Sequence, residues 1–359
     1  MPQLPRRAAL NHIGTAAAIT VSGLAPMLYA SSGTGKIRIG QIGTSHAHAS
    51  KLSAYRKSPD YEVVGIVEPS DELRQKAMQQ EAFRDLTWMS AEELLNQRGL
   101  QAVLVETDVC DLLANAQKCV QAGMHVHIDK PAGESLPQFQ KVLTLADERK
   151  LMVQLGYMYR YNPGVQLLRR FLKEGWLGEV FEVHTVMSKV VDPASRRQLA
   201  RYPGGTMFEL GCHLIDLVVG ILGRPTAVTP YTRQSAPAMD SLVDNMLAVL
   251  EYPAATATVR STALEVEGFS RRHLVVCGTR GTFQIQPLDS PAVTLSLSQA
   301  VGDWKSGTQT ISLPRYVRYV DDAADMAKFI RGEKPNDFNS THDQAVQETV
   351  LKACGLPIT

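Results

Sequence analysis

No class of side chain is present in an excess that would by itself announce a function. The 359 residues carry 37 Lys and Arg against 36 Asp and Glu, a net charge of +1. No basic surplus is available to neutralise a nucleic-acid backbone, and no acidic surplus marks a solvating tail. The five cysteines (110, 119, 212, 277 and 354) form no C-x-x-C pair, which argues against both a zinc site and a disulfide framework. The three tryptophans, Trp88, Trp176 and Trp304, are scattered and read as packing. No stretch reaches the ~20 strongly apolar residues of a membrane span. What remains is an ordinary globular composition, 44% apolar, long enough for two domains.

Residues 1–35 stand apart from the rest. Arg6-Arg7 precede residues 8–29, which hold no charged side chain, and a run of small residues follows at 30–35. A basic start, an uncharged apolar stretch and a small-residue exit make an export signal, and the paired arginines point to the twin-arginine route into the periplasm. Cytoplasmic residence is the alternative.

From residue 36 the pattern alternates. Strand patterns at 36–42, 61–67, 102–105, 125–128 and 151–155 are separated by helical ones at 46–57, 71–80, 114–122 and 137–148. Right-handed crossovers of that kind build a doubly wound parallel sheet, so residues 36–155 read as an α/β domain. After Gly156 the strands at 180–189, 246–251, 257–263, 273–277, 282–285 and 292–297 follow one another with few helices between them. Residues 156–359 therefore read as an α+β domain with a large open, mainly antiparallel sheet. Helices at 165–173, 211–222 and 322–330 are expected to cover one of its faces.

The turn after the first strand reads Gly43-Thr44-Ser45-His46-Ala47-His48. It occupies the place of a G-x-G-x-x-G pyrophosphate loop, with Ser45 and His48 at the second and third glycine positions. Glu68 closes the second strand, where a carboxylate accepts ribose hydroxyls and repels a 2′-phosphate. That favours NAD over NADP. Gly43, Thr44, Ser45, His46 and Glu68 are the cofactor-binding candidates read from this loop and strand end.

A set of ordered motifs then becomes specific: Thr107-Asp108, Gly123-Met124-His125-Val126, Asp129-Lys130-Pro131, Gly156-Tyr157-Met158-Tyr159-Arg160-Tyr161-Asn162-Pro163, and the run from Gly204 to Asp216. Together these resemble the Gfo/Idh/MocA family of NAD(P)-dependent sugar and cyclitol oxidoreductases. Asp129 stands where the family usually has Glu, Asp108 where it has Pro, and Glu209 where Asp is more common. The resemblance implies an N-terminal Rossmann domain and a C-terminal open-sheet domain. It adds Thr107, Asp108 and Lys130 to the cofactor-contacting set.

The resemblance also implies a catalytic set of Lys130, Glu209 and His213. Lys130 follows a strand at the carboxyl edge of the parallel sheet, where an ammonium can polarise a substrate oxygen. Glu209, His213 and Asp216 are spaced to share one helix face. An imidazole, with an unperturbed pKa of ~6.5, is suited to taking a hydroxyl proton. Glu209 is expected to orient that ring or stabilise its charged form, and Asp216 to be a buried helix partner. Arg160, Tyr161 and Asn162 are candidates for hydrogen-bonding substrate hydroxyls, with packing between the domains the alternative for Tyr161; Arg201 and Tyr202 are weaker candidates. No metal is expected, because the His46/His48 and His125/His127 pairs lack a completing ligand.

The expected activity is hydride transfer between NAD and a secondary alcohol of a carbohydrate or cyclitol. Two alternatives stay open: a redox-neutral glycosidase or lyase that retains tightly bound NAD, and a sugar-binding protein without chemistry. The open sheet face leads to the expectation of a homodimer or homotetramer.

Overall fold

The computed structural model describes residues 35–359; the export segment read at residues 1–35 lies, but for Gly35, outside the described residues. The described residues form one compact unit. Among the described residues no helix is long and apolar enough to cross a membrane.

The N-terminal half runs β1 (Ile37–Ile42), α1 (Leu52–Lys57), β2 (Tyr61–Val67), α2 (Asp71–Met78), α3 (Ala91–Leu95) and β3 (Leu100–Val105). It continues with α4 (Val109–Gln121), β4 (His125–Ile128), α5 (Leu136–Glu148) and β5 (Val153–Leu155). The five strands are parallel in the order β2-β1-β3-β4-β5. Helices on both faces leave β3 buried along almost its whole length, which is why it reads as a continuous apolar run. The helices start where short polar side chains satisfy their free N–H groups. Ser70 accepts from Leu73 N, Ser90 and Glu93 form a reciprocal capping box, and Ser135 accepts from Gln138 N.

The C-terminal half contains α6 (Pro163–Lys173), β6 (Val180–Ser188), α7 (Pro193–Leu199), α8 (Cys212–Leu222), β7 (Ala227–Arg233), β8 (Asn245–Glu251) and β9 (Thr256–Thr262). Then come β10 (His273–Gly278), β11 (Gly281–Ile285), β12 (Val293–Leu297), β13 (Gly307–Ile311), α9 (Val320–Ile330) and α10 (Ser340–Ala353). Its eight strands lie in the order β13-β12-β11-β10-β6-β9-β8-β7, antiparallel except for the β6/β9 pair. Alternation is plain in β8, where Met246, Ala248 and Leu250 are buried between half-exposed neighbours. The buried face packs against α6, α8 and α10.

Several features depart from the sequence reading, the short helices α3 and α7 among them. The edge strands β7 and β13 were not anticipated, because exposed polar residues interrupt their alternation. Helix α10 was also missed; it buries Asp343, Gln347 and Thr349 together with Val346 and Val350, so its inward face is not apolar. Helix α9, expected to cover the large sheet, instead returns to the N-terminal half. There Ala323, Met326 and Ala327 join the core of Ile37, Ile39, Ala102 and Leu104, and the Tyr61 hydroxyl donates to Ala323 O at 2.7 Å. Finally, the helix expected over 46–57 becomes a turn, a 3-10 segment at Ala49–Lys51 and then α1. The side chains of His46 and His48 are drawn inward to Asp129, and the chain cannot coil until it has passed them.

Candidate active site

The loop between β1 and α1 forms one wall of a cleft of about 790 Å³, lined among others by Gly43, Ser45, Glu68, Thr107, Asp108 and Arg74. Gly43 has φ +91°, and a Cβ there would lie 2.6 Å from Thr107 Cγ2 and 2.7 Å from Thr107 N. Only glycine lets the first and third strand ends close to this distance. Glu68 Oε2 accepts from Thr44 N (2.9 Å) and Thr44 Oγ1 (2.7 Å), and its Oε1 accepts from Ser70 N. The carboxylate is thus fixed at the end of β2 by the same loop that walls the cleft. A glycine cradle, a carboxylate at the second strand and a long cleft between them fit a dinucleotide. Ser45, Thr107 and Asp108 line that cleft, whereas Thr44 turns its N–H and hydroxyl to Glu68.

His46 does not. It is buried, with its Nε2 donating to Lys130 O at 3.1 Å and its Nδ1 3.2 Å from Asp129 Oδ2. Its place is beneath the loop, and this corrects its assignment to the cofactor surface.

Lys130, one residue past β4 and the Asp129 that follows it, reaches across to the second half of the chain. Its Nζ donates to Glu209 Oε1 (2.8 Å) and to Glu209 O (2.9 Å). Burial alone would lower the Lys130 pKa, but the Glu209 carboxylate, together with Cys212 and Asp129, more than offsets it and holds the ammonium above its ordinary value. Burial likewise opposes ionisation of Glu209, and Lys130 brings its carboxyl below the usual range. The two form a charged pair at neutral pH.

Glu209 therefore engages Lys130 rather than the His213 ring, against the expected role. The reason is local backbone geometry. Met207–Gly211 is a π-helical turn that passes into α8 at Cys212, so positions four apart there no longer stack as on an α-helix. Gly211 permits it, since a Cβ would meet Met207 Sδ at 2.4 Å.

His213 sits at the start of α8, 4% exposed. The Tyr159 and Tyr157 rings stand edge-on to it at 5.2 Å and 5.9 Å between centroids, and the His48 ring lies tilted to it at 6.3 Å. Its Nδ1 is buried without a hydrogen-bond partner among the described residues. Burial first, then the neighbouring Lys130 and His48, hold its pKa well below 6.5, so the imidazole is neutral.

The residues proposed for substrate contact fare differently. Arg160 is 3% exposed and spends its guanidinium on Asp216 (2.6 Å) and Asp343 (2.6 Å). Asn162 is fully buried, capping α6 through Gly164 N and donating to Leu288 O. The structure gives both an internal role instead of a place in the cleft. Tyr161 is tied to Asp325 Oδ2 at 2.9 Å and to Gln154, fastening α9. Tyr202 is half-buried and packs against Phe208, and burial, then Asp108 and Glu209, push its hydroxyl up to about 12.

Sequence reasoning missed a buried polar cluster behind Lys130. Lys51 Nζ lies 2.6 Å from Asp129 Oδ2, 3.3 Å from Glu106 Oε1 and 2.8 Å from His127 Nε2. Asp129 Oδ1 accepts from Lys130 N at 2.7 Å and faces His48 Nδ1 at 3.2 Å. Two groups, His46/His48/Asp129 and Glu106/His127/Asp129, bring possible metal-ligand atoms within 4.8 Å of one another. In the second, the Lys51 ammonium stands among the three side chains. Burial would raise Asp129, but His46, Lys51 and His48 hold it well below the usual carboxylate range; Glu106 is raised by burial and by Asp129. The one local signal was Glu106, a carboxylate directly after the apolar strand β3.

Comparison with known proteins follows this geometry. The oxidoreductase family with an NAD-binding Rossmann fold matches residues 37–157, and the GFO/IDH/MocA C-terminal domain matches residues 165–284. The uncharacterised oxidoreductase YdgJ of Escherichia coli is 26% identical over 256 residues, 70% of this chain and 72% of its own. The scyllo-inositol 2-dehydrogenase (NADP+) IolW of Bacillus subtilis is 26% identical over 140 residues, 38% of this chain and 39% of its own. An oxidoreductase from Agrobacterium radiobacter, solved in complex with NAD+, L-tartaric acid and magnesium, superposes with a TM-score of 0.76. It is 15% identical, over 89% of this chain and 97% of its own. The chain belongs to the Gfo/Idh/MocA family of oxidoreductases, with an N-terminal NAD-binding Rossmann fold.

Proposed function

We propose that the chain oxidises, or in reverse forms, a secondary alcohol on a sugar or cyclitol. The observation that carries this reading is a fixed ammonium, Lys130 on Glu209, beside a neutral, otherwise unengaged imidazole, His213. When bound, NAD supplies the nicotinamide carbon that accepts the hydride. Lys130 donates a hydrogen bond to the substrate oxygen and stabilises the negative charge that develops there. It does not take the proton, because Glu209 keeps it protonated. His213 takes the hydroxyl proton, being uncharged at neutral pH. Tyr157 and Tyr159 wall the ring and exclude water from it.

Two wider readings accompany this one. Arg6-Arg7 and the uncharged stretch after them support export by the twin-arginine route. The outer face of the large sheet, with exposed Tyr231 paired opposite half-exposed Leu247, supports a homodimer or homotetramer.

The test is to denature purified protein, identify any released nucleotide, and follow absorbance at the NADH band with added NAD and a panel of polyols. Stoichiometric NAD consumption supports the reading. Tightly held NAD with substrate turnover but no consumption of added NAD points instead to redox-neutral chemistry.

A further inference from the structure

Beyond the Lys130–Glu209 pair, further positive charge gathers around His213, and Arg318 is among the charged groups that act on it. The Tyr159 ring that abuts His213 carries its hydroxyl to Asp289 Oδ1 at 2.7 Å. Asp289 in turn receives two guanidiniums, Arg272 (Nη1 to Oδ2, 2.9 Å) and Arg318. Arg272 is held in place by donating Nε to Ser188 O at 3.2 Å and by stacking on Phe269 at 3.8 Å. One carboxylate between two guanidiniums leaves one charge uncompensated.

Lys189 supplies a second. It follows β6 directly and, by the alternation of the strand, lies on the face of Val183, Thr185 and Met187, against which the π-helical turn bearing Glu209 packs. It is half-buried and has no carboxylate within ion-pairing distance among the described residues. Arg272, Glu209 and Lys130 are the charged groups that act on it most strongly, and burial is the main cause that lowers its pKa. Lys130 is already balanced by Glu209, and Lys51 by Asp129. The surplus therefore belongs to Lys189 and the Arg272–Asp289–Arg318 group.

A half-buried cation without an ion-pair partner, as Lys189 is, is unfavourable unless a ligand completes it, and the two guanidiniums that share one carboxylate add to that demand. A neutral polyol offers only hydroxyls; an oxyanion offers charge and several acceptor atoms in the geometry that guanidinium and ammonium groups take. We infer that the polyol acted on by this site carries an oxyanion, a carboxylate or a phosphate, seated on Lys189 and the Arg272–Arg318 pair beside His213. This rests on the function proposed above and narrows it to acidic sugars or cyclitols.

The experiment uses NAD-loaded, full-length protein. Binding of D-gluconate, D-galacturonate and D-glucose 6-phosphate is measured by titration calorimetry against D-glucose, D-galactose and myo-inositol, with NADH formation followed in parallel. At least one acid is expected to bind tenfold or more tightly than its neutral counterpart, and the carboxylate and phosphate arms identify which oxyanion is taken. Lys189→Met is expected to erase about tenfold of that preference while NAD affinity stays unchanged. Neutral polyols binding as well as the acids, no acid being preferred, or a preference that survives both Lys189→Met and Arg318→Met would overturn the inference. The two claims separate cleanly. Lys189-dependent acid binding without NADH supports the anion seat and counts against the redox reading; NADH from neutral polyols without any acid preference does the reverse.

Discussion

Glu209 grips the Lys130 ammonium twice, through its carboxylate at 2.8 Å and through its main-chain oxygen at 2.9 Å. The pair joins the carboxyl edge of the parallel sheet to the π-helical turn of the second half. It also determines the charge state on which the proposed chemistry depends. Because Glu209 raises the Lys130 pKa, the ammonium is the form present at neutral pH and is lost only as pH rises through that raised value.

Glu209→Gln keeps an acceptor oxygen but removes the charge. The alkaline limb of the kcat/KM profile is expected to move down by about 1–3 pH units, the usual effect of one nearby opposite charge. Turnover at neutral pH should fall by about tenfold or more. A pH profile of wild type and variant checks this, and an unmoved alkaline limb would separate Lys130 from the rate.

Arg160→Met distinguishes an internal ion pair from a substrate contact. The substitution strands Asp216 and Asp343, both buried, without their cation. A loss of about 3–5 kcal/mol in urea unfolding is expected. KM measured on the folded protein should change less than about twofold, since Arg160 lies outside the cleft.

Glu68→Ser removes the carboxylate that accepts from Thr44 and faces the cofactor cleft. NAD affinity is expected to fall by about tenfold while discrimination against NADP relaxes. Fluorescence titration with both nucleotides measures this.

His125 is held neutral by burial, with its pKa lowered to about 4. A group with a depressed folded pKa gives stability that is present above the unfolded value of ~6.5 and lost as pH falls toward the folded one, at up to ~1.4 kcal/mol per unit. His125→Asn retains an acceptor for the Met152 N–H that His125 Nδ1 receives at 2.9 Å. Unfolding midpoints between pH 7 and 4.5 should therefore fall less steeply in the variant than in wild type.

The parallel half was legible because its strands are buried on both faces and its helices carry serine caps. β2 spans the same residues, 61–67, that its β-branched pattern marks. The positions of Gly43, Glu68, Lys130 and His213 followed from motif order, since each sits at an element end that the motif itself defines. What was not legible depends on tertiary partners. Nothing local to Arg160 or Asn162 shows that Asp216, Asp343 and Leu288, all distant in sequence, take up their polar atoms. The α-helical spacing of Glu209 and His213 misled because the turn between them is π-helical. Lys51 and Glu106 look like ordinary charged residues until the fold places them around Asp129. Arg318, in the crossing segment before α9, reaches the site only because that helix returns to the first half.

The most direct test of the central claim is the rate of NADH formation by NAD-loaded protein, wild type and His213→Ala, on whichever polyol of the panel binds. The account predicts a fall of about 10²–10⁴-fold in the variant, with NAD affinity unchanged and no acid limb near pH 6.5 in wild type, since His213 is already neutral there. Equal rates in the two proteins would contradict it.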